Sequence, residues 1–199
     1  MNVAVINYNG GNALSVMNAL RRIGINAVYS SDSEVIKKAD KVIFPGQGEA
    51  LVTMNFLRRS HLDEVIRGLT QPFLGICIGM QILGFKSEER NTSCLNIVDD
   101  AIVRKFLVTK SNLRMKIPHM GWNTVSHLKT DLFRDIPENA FFYFVHSFYM
   151  PVNQYTVAET TYINDFSAAI RKENFYATQF HPEKSGKWGE KLLKNFIEL

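Results

Sequence analysis

Four short apolar runs at residues 2–6, 26–29, 41–44 and 72–76 are separated by stretches with helical spacing, and this alternation narrows the possible folds of the chain more than any of its other features. Parallel neighbours need a crossover between them, and a helix is the usual one. The predicted helices cover residues 12–23, with Val16, Met17, Leu20 and Ile23 on one face and a stop at Gly24, and residues around 33–38. A third is expected to begin at Ser60, where Asp63 three residues on makes a capping-box pattern, and to close at Gly68. From about residue 95 the pattern changes to strands without intervening helices, at 97–106, 141–145, 155–161, 167–171 and 175–180. These read as an antiparallel extension of the sheet. An amphipathic helix from about residue 187 buries Trp188, Leu192, Leu193, Phe196 and Ile197. The expectation is an α/β fold of three layers, a mostly parallel central sheet between helices. With 199 residues, 46% of them hydrophobic, the chain suits a single domain over 1–199.

Composition excludes several classes of function. The 23 basic and 19 acidic residues give a net charge of +4, but the basic residues are scattered, which describes a solvated surface and not a nucleic-acid track. No apolar run approaches the ~20 residues that span a bilayer. Two cysteines, Cys77 and Cys94, without a signal peptide indicate a reducing cytoplasm. There is no P-loop and no dinucleotide fingerprint. His61, His119, His127 and His146 lack ligand spacing with Cys94, so neither metal nor cofactor is expected and Cys94 reads as inert.

The stretch "PFLGICIGMQ", residues 72–81, sets Cys77 between glycines at 75 and 79 where a strand gives way to a helix. A sharp strand-to-helix turn would thrust the thiol outward, and side chains at 75 and 79 would collide where the two elements run close. The same turn would place the sulfur at a helix N-terminus, which favours a thiolate, and free the N–H of Ile78 to face a developing oxyanion. A buried structural cysteine with packing glycines fits the pentapeptide equally well.

"FHPEKSG", residues 180–186, weighs toward chemistry. A cysteine nucleophile needs a base, and the base needs an orienting acceptor. His181 and Glu183 fit both roles, because Pro182 favours extended backbone at 181 and a spacing of two along extended chain puts both side chains on one side. Pro45-Gly46-Gln47-Gly48 follows the third predicted strand, at the carboxyl edge where open parallel sheets carry their sites. Its flexible backbone could present, or turn away, the Gln47 N–H as a second oxyanion donor.

Together, G-I-C-I-G-M-Q, P-G-Q-G and H-P-E-K-S-G resemble the class I, triad-type glutamine amidotransferases, whose fold is flavodoxin-like. Within them, "INYNGGN", "IPHMGWN" at 117–123, "YFVHSFY" at 143–149 and Lys184-Ser185 are similar to the glutaminase subunits of imidazole glycerol phosphate synthases. The resemblance implies that Cys77 attacks the carboxamide of L-glutamine, His181 moves the proton to the departing ammonia and Glu183 holds the imidazole. It implies that Gly48, Gln81, Ser147 and Phe148 grip the glutamine, and that Asn12, Trp122 and Lys184 face a cyclase subunit in a heterodimer. A separate acceptor also follows from chemistry, since ammonia is protonated and lost in water and nothing in this chain uses it. The chain departs from the family at Asn7, usually aspartate, at Gln47, usually a small branched residue, and at Ile78, usually leucine. A paralogue feeding a sugar-aminating synthase, a stand-alone cysteine amidohydrolase and a binding module without catalysis are the competing expectations.

Overall fold

The computed structural model describes residues 1–10, 12–108 and 115–199, which leaves Gly11 of the "INYNGGN" stretch outside the described residues. The runs β1 (Val3–Ile6), β2 (Val28–Ser30), β3 (Lys41–Phe44) and β4 (Phe73–Ile76) pair in parallel, linked by α1 (Ala13–Arg22), α2 (Ser33–Lys37), α3 (Ala50–Arg59) and α4 (Leu62–Arg67). The one-turn α5 (Ile78–Gln81) leaves β4 and leads to β5 (Lys86–Ser87), β6 (Thr92–Ser93), β7 (Ile102–Lys105), β8 (His119–Val125), β9 (Ala140–His146) and β10 (Phe148–Tyr149). The chain then forms β11 (Thr156–Thr161), β12 (Asp165–Lys172), β13 (Phe175–Thr178) and the closing α6 (Gly186–Glu198).

Side-chain alternation explains the layers. Val3 and Val5 enter a core with α1 and α6, while Ala4 and Ile6 enter a second core with α3 and α4 on the opposite face of the sheet. A strand buried on both faces reads as a continuous apolar run, as β1 and β4 do and as β3 does after Lys41. The order of the main sheet is β11-β12-β13-β4-β3-β1-β2. β13 lies parallel to β4, and β12 and β11 continue antiparallel, so the sheet is mostly parallel with an antiparallel edge.

Several expectations need correction. The predicted 97–106 strand shrinks to β7, and it joins a small sheet with β5, β6 and β10 instead of the main one. The run at 141–145 belongs to β9, which pairs with β8 in a separate two-stranded ribbon. Alternation identifies a strand but not its neighbour, and β8 goes unread because Gly121 and Asn123 interrupt its apolar pattern. Helix α3 is an additional helix that the pattern does not announce, and Ser60 stands at its end. The Ser60 hydroxyl donates to Phe56 O at 2.9 Å and Leu57 O at 3.2 Å, so it closes α3. Helix α4 starts at Leu62 after His61 in a left-handed conformation, and Asp63 pairs with Arg67 at 3.1 Å in place of capping.

The β8–β9 ribbon covers one face with a strict alternation: Ala140, Phe142, Phe144 and His146 point inward. Phe142 and Phe144 meet Phe180 with ring centroids 4.2 and 5.7 Å away. His119 lies opposite His146 across the ribbon, and both are buried. His146 Nδ1 is 2.8 Å from the Phe148 carbonyl, which can only accept, so that nitrogen carries the proton. His146 Nε2 then accepts from His119 Nδ1–H at 3.0 Å, and His119 Nε2 accepts from the Asn123 amide at 3.4 Å.

Burial disfavours charge on either ring, pulling His119 down to about 4 and His146 down to about 3. An unfolded histidine titrates near ~6.5, so between that pH and about 4 the unfolded chain takes up protons that the folded chain refuses. Stability should therefore fall as pH drops through this window, by up to about 1.4 kcal/mol per pH unit for each ring, with no contribution above it. Urea unfolding at pH 7 and pH 4.5 should show a shallower acid loss in the double variant His119→Gln/His146→Gln. An unchanged loss would place the acid sensitivity elsewhere.

Candidate active site

At the end of β4 the backbone turns at Cys77 with φ 49° and ψ −101°, a conformation that side-chain-bearing residues seldom adopt. The turn is possible because the positions two residues to either side of it, 75 and 79, carry no side chain. A Cβ on Gly75 would lie 2.4 Å from the Gly79 carbonyl oxygen, and one on Gly79 would lie 2.9 Å from that of Phe44. The Cys77 N–H donates to Thr178 O at 2.7 Å, and its carbonyl accepts from Met80 N at 3.0 Å and Gln81 N at 3.1 Å. The helix expected to lend its dipole is only four residues long, so the local field reduces to the N–H groups of one turn. Ile78 opens that turn, and its N–H makes no backbone hydrogen bond among the described residues.

His181 and Glu183 come from the loop between β13 and α6. His181 is extended, as Pro182 predicts, whereas Glu183 sits in a 3-10 turn at Pro182–Lys184 and not on extended chain. The turn nonetheless brings Glu183 Oε1 to 2.8 Å from His181 Nδ1, with both side chains fully buried. The ribbon clamps this loop: His181 N–H donates to Tyr143 O at 2.9 Å, and the Ser185 hydroxyl donates to His181 O at 2.6 Å while accepting from Tyr143 N–H at 3.0 Å. Burial works against a charged imidazole, but the Cys77 sulfur first and Glu183 second outweigh it and raise the ring to about 10. His181 Nε2 has no hydrogen-bond partner of ordinary geometry among the described residues, while the Cys77 sulfur is the neighbour that favours its charge most. An imidazole oriented at Nδ1 and unoccupied at Nε2 is equipped to take a proton from one atom and give it to another.

A cavity of about 240 Å³ opens over Cys77, lined by Gly46, Gln47, Gly48, Ile78, Gln81, Glu89, Val145, His146, Ser147 and Phe148. Gly48, Gln81, Ser147 and Phe148 thus come together around the sulfur. Gln81 Nε2 donates to Phe148 O at 2.9 Å and to Gln179 Oε1 at 3.1 Å. Gln47 lines the cavity too, but its peptide is held by Tyr8, whose hydroxyl accepts from Gln47 N–H at 3.2 Å and donates to Gln47 O. Tyr8 is buried and stacked on Phe44, with centroids 4.5 Å apart.

Glu89 escaped the sequence reading. It lies in a charged stretch, Glu88-Glu89-Arg90, that resembles solvated surface, and only the fold turns it into the cavity. Its Oε2 accepts the Ala50 N–H at 2.7 Å, and burial raises it above the usual carboxylate range. Cys94 is buried apart from the cavity, and burial pushes its thiol up to about 11. Trp122 is 55% exposed on the ribbon, and its cross-strand neighbour Tyr143 lies under Lys184 Nζ at 5.9 Å from the ring centroid. Asn12 stands at the start of α1, accepting from the Ser15 hydroxyl at 2.6 Å. Among the described residues no cluster of His, Cys, Asp or Glu could hold a metal ion, and no helix is long and apolar enough to cross a membrane.

Comparison with known proteins bears on the family and the fold. Residues 4–199 match the family Glutamine amidotransferase class-I. The chain is 57% identical over 199 residues to Imidazole glycerol phosphate synthase subunit HisH of Bacteroides fragilis, covering all of both chains. It is 44% identical over 201 residues to the protein of the same name from Escherichia coli strain K12, again covering all of both. Among solved structures, a putative gmp synthase subunit a protein from Thermoplasma acidophilum is similar in fold, with TM-score 0.74 and 21% identity over 100% of this chain and 92% of that one. PurLQS from Thermotoga maritima gives TM-score 0.70 and 17% identity over 99% and 97%. A cysteine on a strand-to-helix turn, a buried imidazole–carboxylate pair and a fold shared with these structures have one explanation: the chain belongs to the class I glutamine amidotransferases, in the HisH group.

Proposed function

We propose that this chain is the glutaminase subunit of an imidazole glycerol phosphate synthase. It hydrolyses L-glutamine to glutamate and ammonia in a single amidotransferase domain in the cytoplasm, and passes the ammonia to a separate cyclase subunit for histidine biosynthesis. The observation that carries the reading is the cavity in which Cys77 lies beside Gly48, Gln81, Ser147 and Phe148, backed by the His181–Glu183 pair at 2.8 Å. Full-length identity of 57% to a synthase subunit favours this pathway over a sugar-aminating paralogue or a stand-alone amidohydrolase.

The chemistry follows from the groups present. Cys77 gives its proton to His181 Nε2, and the sulfur attacks the carboxamide carbon of glutamine. The Ile78 N–H supports the oxyanion. As the C–N bond breaks, His181 returns the proton to the leaving nitrogen, and ammonia departs from a γ-glutamyl thioester. A water, deprotonated by the same imidazole, then hydrolyses the thioester to glutamate. Glu183 keeps the Nδ1 proton in place and stabilises the imidazolium throughout. Glu89 supplies a negative charge in the cavity for the ammonium group of the amino acid. Trp122, Lys184 and Asn12 form the face toward the cyclase, and the exposed indole is the kind of residue that anchors such contacts.

A glutamine-like chloroketone should label the wild-type protein at Cys77 and leave Cys77→Ser unlabelled, and ammonia release should fall by about 10³-fold or more in that variant. Labelling at Cys94, or release that survives the substitution, would sink the proposal. The Gln47 N–H can serve as the second oxyanion donor only after leaving Tyr8. Tyr8→Phe should therefore raise kcat for ammonia release without the cyclase, within the roughly 10²- to 10³-fold ceiling for one oxyanion donor. A Tyr8→Phe protein with unchanged basal kcat and intact folding would show that the hydroxyl does not restrain the donor.

A further inference from the structure

Gln179 is a fully buried amide two residues before His181, and the chemistry of Cys77, His181 and Glu183 does not use it. Its neighbours define which way it faces. The Phe148 carbonyl can only accept, so the Gln81 atom 2.9 Å away is its NH₂ nitrogen. The same nitrogen lies 3.1 Å from Gln179, whose facing atom must then be the amide oxygen. That leaves the Gln179 NH₂ toward the reacting sulfur, 3.5 Å from Cys77 Sγ. The register makes this placement inevitable, since β13 runs parallel to β4 with Thr178 opposite Ile76, and residue 179 comes level with the turn at 77. Thr178 O receives the Cys77 N–H at 2.7 Å, and Gln179 N–H donates to Ala168 O at 2.8 Å, so both backbones are held.

We propose that Gln179 is a further residue of the reaction: its amide N–H stabilises and aims the Cys77 sulfur, and its oxygen links that sulfur through Gln81 to the filling of the cavity. The inference rests on the proposed role of Cys77 as nucleophile. As a thiol, Cys77 has Val145 O within 3.8 Å of its sulfur as an acceptor for its S–H. Once the proton has moved to His181, that carbonyl offers the sulfur nothing, and the Gln179 N–H remains as a donor to the anion. The donor therefore acts on the ionised form, which is the attacking form. A glutamine that engages Gln81 shifts Gln179 with it, so an occupied cavity repositions the nucleophile without any large movement.

The test is alkylation of Cys77 by iodoacetamide as a function of pH, in which the thiolate forms the S–C bond and iodide leaves. It is measured on the full chain for wild type, Gln179→Met and Gln179→Glu. Methionine fills the space without an N–H donor, and glutamate keeps the shape while turning an acceptor toward the sulfur. The other titratable groups around the sulfur are His181 with Glu183 from the loop after β13, Tyr8 beyond β1, and His146 and Glu89 lining the cavity. All of them are unchanged in the variants. The expected result is a pH–rate profile displaced upward by about one unit in Gln179→Met and further in Gln179→Glu. Glutaminase kcat should fall about ten- to a hundredfold, the range of a hydrogen bond to a charged group, with KM affected less. Profiles that superimpose on the wild type in variants with wild-type thermal unfolding would overturn the proposal. Should the variants not fold, the Gln179 side-chain amide ¹⁵N resonance in wild type serves instead: it must shift when Cys77 is alkylated, and a resonance that stays put overturns the proposal equally. Failure of wild-type Cys77 to react with the glutamine-like chloroketone would instead remove the underlying reading.

Discussion

The backbone at Cys77 is bent into a region that costs a residue with a side chain on the order of 1–3 kcal/mol, and the surrounding structure pays for that bend with unusually close contacts. Gly75 and Gly79 allow β4 and α5 to meet at a separation that any Cβ would prevent, and Gly79 in turn sits against β3. The strained turn raises the sulfur above the carboxyl edge of the parallel sheet. The candidate site is arranged around that one point, with the Ile78 N–H beside it, the His181 imidazole coupled to it and the cavity over it.

The remaining parts of the site are brought in by elements that are far apart in the chain. β13 inserts beside β4 and delivers Gln179, His181 and Glu183 to the same edge. The β8–β9 ribbon lies over the opposite side, holding the 181–185 loop through the Tyr143 backbone, which bonds the His181 N–H and the Ser185 hydroxyl, and contributing Val145 and His146 to the cavity. One carbonyl, Phe148 O, connects the two. It receives the His146 ring and the Gln81 amide, and so sets the direction of the histidine pair on one side and the amide chain toward the sulfur on the other.

Much of the site was legible before any coordinates. The glycines around Cys77 and the extended backbone that Pro182 imposes at His181 are local signals, whereas Glu183 reaches the imidazole from a 3-10 turn that extended-chain spacing does not foresee. Other features were hidden for equally physical reasons. Glu89 sits in a charged run indistinguishable from surface, and Gln179 is a polar residue at a strand end, where a solvated side chain is the ordinary outcome. Tyr8 gave no sign that it would hold Gln47, which lies 39 residues along the chain. Ser60 misled because a hydroxyl that closes one helix has the same composition as one that opens the next.

The order of residues along the chain was enough to give the alternation of parallel strands and helices, the strand-to-helix turn that carries Cys77 and the family to which the protein belongs, since all three are written in periodicities and short motifs. The pairing of β9 with β8 instead of the main sheet, the capture of the Gln47 peptide by Tyr8 and the amide that reaches the sulfur depended on how distant segments settled against one another. Local sequence specifies which way a side chain faces, whereas long-range register specifies what it meets.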